Sequence, residues 1–323
     1  MKKELISCFV FTLLVFGLFL NANQGSAAEK QRDDYTFGEV ENILVEYLKA
    51  NGYSFNIGSE EFTTYVIEQL DNDTDEQLAA RDDYGLITAY LAEYLYRTSI
   101  VETEVEKDSV LSLNESEEEI SAELDSISDI TLGEMAKEIE EQEAADELTR
   151  ESTIVAYKTG TVDVAAGRNY AKKYAHDYNP NYPEYSNDCT NFVSQILSAG
   201  GRRQVVNQST AKLTSDNKYW YIKSLPKGGK GRSKSWSVVP DMYSHLTRTQ
   251  KGYSSTSKQK IIDNAKAGDV IQFKKADADR YTHGMWVYSK SSSNLKLSGH
   301  TNDYVERSFN AITGYKTFRI VKM

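Results

Sequence analysis

The sequence predicts an α+β protein in which an acidic, mainly helical region precedes a domain of mixed helices and strands. Apolar residues recur at helical spacing through the first half of the chain and form short strand-like runs in the second. Charge divides at the same place. Residues 29–150 hold 8 Lys and Arg against 34 Asp and Glu, a net −26, whereas residues 151–323 hold 27 against 13, a net +14. With 323 residues, 40% of them hydrophobic and 11% aromatic, the chain has material for two domains with real cores. Only 4 prolines and no glycine period exclude a collagenous chain. The net charge of −11 argues against a dedicated nucleic-acid binder.

Residues 1–28 read as a secretory signal peptide. Lys2 and Lys3 precede the apolar run from Leu5 to Leu20, and Ser26-Ala27-Ala28 supplies small residues for cleavage after Ala28. An uncleaved anchor is the alternative, but no later stretch is long enough to span a bilayer, so no stable insertion is expected after cleavage. Cleavage removes Cys8 and leaves Cys189 without a disulfide partner.

Residues 29–100 read as a small acidic helical bundle. Val40, Ile43, Leu44, Tyr47 and Leu48 share one helix face, as do Phe62, Tyr65, Val66 and Leu70, and then Ile87, Tyr90, Leu91, Tyr94 and Leu95. Residues 101–160 read as an acidic helical or flexible connector, with Ile120, Leu124 and Ile127 sparse among Glu, Ser and Asp. The preferred expectation is a self-repelling, extended spacer; the other is a prosegment that folds back on the basic half. Asp71, Asp73 and Asp75, with Asp82, alternate as calcium-loop ligands do. Glu76 stands where such a loop needs glycine, so an acidic turn between helices is expected instead.

Residues 161–323 form the second expected domain, of mixed helices and strands. A helix over 165–178 ends at a turn over 179–183. The run 187–197 reads as a buried helix with Phe192, Val193, Ile196 and Leu197 on one face, capped by Asp188 or Asn187 and stopped by Gly200-Gly201. Strands follow at 268–273, 282–288, 295–300 and 315–321.

Cys189 therefore lies in the first turn of a helix, where unpaired backbone N–H groups draw a thiol below its free pKa of about 8.5 and help hold an oxyanion. A thiol nucleophile needs a base. His283 heads one strand and His300 ends the next, so an antiparallel sheet can bring both to one edge. His176 and His245 read as surface or packing residues. The expected roles are Cys189 as nucleophile, His283 as base and His300 as the residue that orients His283, with Asn302 or Asp303 as alternative third residue. No cofactor is needed, and with Cys189 so assigned the two histidines make a poor metal site. Asp188, Trp220, Tyr221 and Trp236 are candidates for binding substrate, although the aromatics suit a core equally.

The run Asp188-Cys189-Thr190-Asn191-Phe192-Val193-Ser194-Gln195 resembles the hallmark motif of the putative amidase domain family of secreted, mainly Gram-positive bacterial proteins. Tyr170-Ala171, Asn179-Pro180, Gly200-Gly201, Trp220-Tyr221, Ser235-Trp236, Gly268-Asp269, His283 and Ser298-Gly299-His300 match its pattern in order, over residues 162–323. The resemblance implies kinship with NlpC-type and CHAP-type cysteine peptidases, whose papain-like fold packs a Cys-bearing helix on an antiparallel sheet carrying the His. It implies a Cys–His hydrolase with a third polar residue. Gly284-Met285-Trp286 departs from the branched aliphatic residue usual after that His, which either reshapes the pocket or turns Trp286 to the core. The expected function is a secreted amidase or peptidase acting on peptidoglycan, with anionic wall polymers drawn to the basic half. The alternatives are a non-catalytic wall-binding module of the same fold and an acyltransferase using the same acyl-enzyme.

Overall fold

The first helices begin where short polar side chains take up free backbone N–H groups. Thr36 and Glu39 form a reciprocal capping box at the start of α1 (Phe37–Ala50), and Ser59 accepts from the Phe62 N–H at the start of α2 (Glu60–Asn72). Asp75 caps the short α3 (Glu76–Ala79), and α4 (Tyr84–Val101) follows. The computed structural model describes residues 30–101, 110–153, 162–226 and 228–323, so the expected signal peptide and Cys8 lie outside the described residues. Residues 31–323 form one unit.

α5 (Val110–Ile127) and α6 (Leu132–Thr153) continue the helical region. Ile120, Leu124, Ile127, Leu132 and Met135 are buried in the same core as Leu44, Phe62, Val66 and Tyr90. The bundle therefore runs well past residue 100. The extended-spacer expectation is overturned for the described part of the connector, because its sparse apolar residues fall on one helix face and find that core.

The second half opens with α7 (Val164–Tyr174), which Asp163 caps and which ends four residues earlier than its periodicity suggests, and α8 (Cys189–Ala199). A small sheet of β1 (Leu213–Thr214), β2 (Ile222–Ser224) and β3 (Lys230–Ser233) follows, in the order β1-β3-β2. Then come α9 (Lys234–Ser237), α10 (Val239–Thr247), β4 (Lys251–Ser255), α11 (Lys258–Asn264), β5 (Val270–Lys274), β6 (His283–Lys290), β7 (Leu295–Gly299), β8 (Tyr304–Ser308) and β9 (Thr317–Lys322). The last six strands form one antiparallel sheet in the order β4-β9-β5-β6-β7-β8.

Alternation along the strands fixes which helices cover each face. Val270, Trp286, Tyr288 and Val321 pack with Phe192, Val193 and Ile196 of α8, whereas Ile271, Phe273, Met285 and Val287 pack with Ile261 and Ile262 of α11. Trp286 thus belongs to the core, and its indole N–H donates to the Gly268 carbonyl at 3.0 Å. Gly167 lets α7 approach that ring: a Cβ there would lie 2.8 Å from it. Gly201 turns the chain out of α8 at φ +90°, which a side chain would resist.

The bundle core and the two sheet-face cores share no residue. Polar and charged contacts join the halves. Arg280 Nε donates to Glu93 Oε2 at 2.5 Å, Arg319 Nη1 to Glu143 at 3.3 Å, and Lys275 pairs with Asp73, Arg32 with Asp279 and Ser244 with Asp146. The acidic region lies against the basic domain, as the opposite signs of their charges favour. Among the described residues, no helix is long and apolar enough to cross a membrane.

His245 on α10 carries a measurable consequence. Its Nδ1 lies 2.9 Å from the Asn217 carbonyl, and burial, reinforced by Arg202 and Arg248, pushes its pKa down to about 3 from an ordinary 6.5. The folded protein keeps this ring neutral while the unfolded chain protonates it. Its stabilising contribution is therefore present above pH 6.5 and lost as pH falls toward 3, at about 1.4 kcal/mol per pH unit. Thermal melting is expected to fall between pH 7 and pH 5, and His245→Gln to flatten that slope. An unchanged slope in the variant would remove His245 as its source.

Candidate active site

Cys189 is the first residue of α8 and is completely buried, in contact with Val239 and Tyr281. Its thiol donates to Asn187 Oδ1 at 3.3 Å, and the Gly284 N–H, next along the chain from His283, favours the thiolate. Thus α8 docks its N-terminal end on the first residues of β6. Asn187 is held in turn, since its Nδ2 donates to Ser99 Oγ of α4 at 3.3 Å.

The expected depressed thiol pKa is not found. Burial pushes Cys189 up to about 12, and the Asp71 and Asp188 carboxylates act in the same direction. Complete desolvation outweighs the Thr190 hydroxyl and the Gly284 N–H, which favour the thiolate. Burial likewise holds His283 below its ordinary 6.5, opposed by Asp71. No hydrogen bond joins Cys189 to His283: the thiol faces Asn187, and His283 Nδ1 faces Asp71 Oδ2 at 3.7 Å.

His300 does not orient His283. Its Nε2–H donates to the Tyr174 carbonyl at 2.9 Å, its Nδ1 lies 2.5 Å from Asp188 Oδ2, and its ring stacks on Phe192 with centroids 3.6 Å apart. With both nitrogens engaged, it ties β7 to α7 and to the start of α8. Asp188 is correspondingly structural: it also accepts from Asn191 Nδ2 at 2.8 Å and the Tyr185 N–H at 3.1 Å, and makes no side-chain cap. Asp303 accepts from Tyr178 OH at 3.2 Å, and neither it nor Asn302 pairs with His283. Trp220, Tyr221 and Trp236 are fully buried and line no groove. Their polar atoms bind Ser194, Thr214 and Asn191 inside the domain.

The carboxylate facing His283 comes from the bundle, while Arg307 of β8 also acts on the ring and favours its neutral form. Asp71, in the last turn of α2, is 4% exposed and also accepts from Tyr315 OH, while its Oδ2 has no hydrogen-bond partner. The calcium-like spacing dissolves into separate roles: Asp71 faces His283, Asp73 holds Lys275, and Asp75 caps α3. Among the described residues, no cluster of acidic, His or Cys side chains could hold a metal ion.

Residues 161–322 match the family profile described as Putative amidase domain. The chain belongs to that family. Amidases hydrolyse amide bonds, and the matched segment contains the thiol, both strand histidines and the whole main sheet. The chain is also 30% identical over 130 residues to the uncharacterized protein YhbB of Bacillus subtilis (strain 168), covering 40% of this chain and only 37% of that protein. No solved structure matches the chain.

The histidines separate by experiment. His300→Ala leaves the Asp188 carboxyl buried without its partner and is expected to cost about 3 kcal/mol or more of stability. His283→Ala is expected to keep its melting temperature within a few degrees and to lose any amide hydrolysis that limited proteolysis releases. Melting curves on both variants and amide hydrolysis after limited proteolysis check this, and a stable but inactive His300→Ala would reverse the assignment.

Proposed function

We propose that this protein is a secreted cysteine amidase or peptidase of papain-like fold acting on peptide material of the cell wall, made in a closed, latent state. The observation that carries this reading is the docking of the Cys189 helix start on the strand that begins with His283, inside the segment that matches an amidase family.

In the open enzyme His283 takes the thiol proton, and the thiolate attacks the amide carbonyl carbon. The Cys189 backbone N–H steadies the resulting oxyanion. As the C–N bond breaks, His283 returns the proton to the leaving amine. Water then attacks the thioester, with His283 accepting its proton, and the acid leaves as the thiolate is restored. None of these steps can start in the closed arrangement, where the thiol is buried and bonded to Asn187 and His283 faces Asp71. Turnover requires α2 and α4 to withdraw, which makes the acidic region a regulatory prosegment.

A second reading has its own support. A thiol raised to about 12 and unpaired with His283 suits a wall-binding module without turnover. The full chain should be incubated with purified peptidoglycan, intact and after limited proteolysis, and the released fragments analysed by mass. Fragments that appear only after nicking and need Cys189 support the latent hydrolase. Their absence, with a thiol that reacts no faster than a free one after nicking, favours the binding module.

A further inference from the structure

A cleft of about 370 Å³ opens between α6 and the catalytic domain, and Arg319 of β9 forms part of its wall. The guanidinium lies between two tyrosine rings, 3.8 Å from the centroids of both Tyr243 and Tyr281. Its Nε donates to Gln272 Oε1 at 2.8 Å, and Gln272 donates to the Val239 carbonyl at 2.6 Å. Val239 and Tyr281 share one buried cluster with Cys189. Arg319 is thus fixed against a member of the cluster that holds the thiol.

The rest of the fork is poorly used. Nη1 reaches Glu143 of α6 at 3.3 Å, whereas Nη2 is buried with no hydrogen-bond partner. The Arg319 side chain is 5% exposed and Glu143 is 58% exposed, so a rigid buried cation meets a loosely held surface carboxylate. A planar guanidinium held by stacking is suited to a carboxylate that accepts from both terminal nitrogens. The catalytic-domain wall of the cleft also carries Lys234 and Arg280 beside Asp241 and Asp279, and α6 contributes Asp146 and Glu147 with Glu143, so the closed cleft is acidic overall and its α6 side supplies most of that charge.

We propose that Arg319 is a specificity subsite for a substrate carboxylate, so that the enzyme takes acidic peptides and α6, through Glu143, occupies the subsite in the closed state. The proposal rests on Cys189 being the nucleophile, and it goes further by naming the chemical class of the substrate. An acidic side chain on Arg319 sets the neighbouring amide beside Tyr281, from where it reaches the thiol once the site opens. Glu143 makes one long hydrogen bond where a free peptide carboxylate makes two shorter ones, so the peptide displaces it.

Binding tests this without turnover. In full-length protein carrying Cys189→Ala, the affinities of N-acetyl-Ala-Glu-Ala-amide and N-acetyl-Ala-Gln-Ala-amide are measured by calorimetry, with and without Glu143→Ala. Glu143→Ala is expected to tighten binding of the Glu peptide at least tenfold and to leave it at least tenfold ahead of the Gln peptide. Adding Arg319→Gln should abolish that preference. If that variant does not fold, Arg319→Lys, which keeps the charge but loses the fork, should reduce the preference severalfold. Equal affinity for the two peptides in the Glu143→Ala protein overturns the proposal. So does displacement of the Glu peptide by inorganic phosphate at matched concentration, which would mark an anion site without carboxylate selectivity. Preference in binding, with no Cys189-dependent hydrolysis of either peptide by the wild-type protein after limited proteolysis, would keep the subsite and sink the hydrolase, whereas hydrolysis by the nicked protein indifferent to Glu or Gln would sink the subsite alone.

Discussion

Cys189→Ala is expected to bring amide hydrolysis by the opened protein down to background while the fold survives. In a covalent mechanism the thiolate forms the new bond, and removing such a nucleophile costs on the order of 10⁴ to 10⁶ in rate. The structural loss is small by comparison. Cys189 is fully buried, but only its sulfur and one hydrogen bond to Asn187 are removed, which amounts to about 1 kcal/mol. Fragment release from peptidoglycan and a melting curve on the same preparation check both halves. Activity above about 1% of the original in a folded alanine variant would exclude the thiol mechanism.

Glu93→Ala is expected to expose the thiol. Glu93 and Arg280 have side chains 4% and 6% exposed, and the Arg280 guanidinium also lies 3.7 Å from the Tyr96 ring centroid. Removing one partner of a buried pair leaves the other charge uncompensated and costs about 3–5 kcal/mol. Because the bundle and the sheet domain share no apolar core, that cost falls on the interface. A free-energy change of about 3 kcal/mol raises the open population by roughly 10². Alkylation of a buried thiol follows that population, so iodoacetamide labelling at pH 8, read by mass, should accelerate to match. An unchanged rate in a variant that circular dichroism shows to be folded would mean that the bundle is not what covers Cys189.

Much of the local architecture was legible in the sequence, and the long-range architecture was not. The α8 helix announces itself through Phe192, Val193, Ile196 and Leu197 and its Gly200-Gly201 stop, and the central strands through their apolar runs. The strands β4 and β8 gave no such signal because they are the sheet edges: Lys251–Ser255 and Tyr304–Ser308 are largely polar and half exposed. Chain order put His300 near His283, but the choice between them was made by Asp188, 112 residues from His300 in sequence, and the Tyr174 carbonyl, 126 residues away. Asp71 looked like one of several alternating acids. A usable signal existed, since Asp71 follows Ile67 by four and both are buried, placing an acid on a helix flank that packs against protein. The opposite charges of the two halves hinted at their contact, while the low apolar content of residues 101–160 argued against it. Six buried apolar side chains from Ile120 to Ile139 were enough to hold that segment to the bundle, and Glu143 and Asp146 carry it onto the basic half.

The closed arrangement also bears on how long the protein keeps its chemistry. Peroxide and disulfide exchange act on the thiolate, and each step up the ladder to sulfinic acid makes recovery harder. A sulfur that is out of solvent and whose pKa burial pushes well up offers neither the charge nor the access these oxidants need. On the latent-hydrolase proposal, Asp71 and the α4 helix would act as a preservative as well as a brake, and shelf life should end where activity begins. On that proposal, the exposure that lets a peptide reach Cys189 once the helices withdraw would let oxidants reach it too, and the working lifetime of the opened protein would follow the redox state of its surroundings.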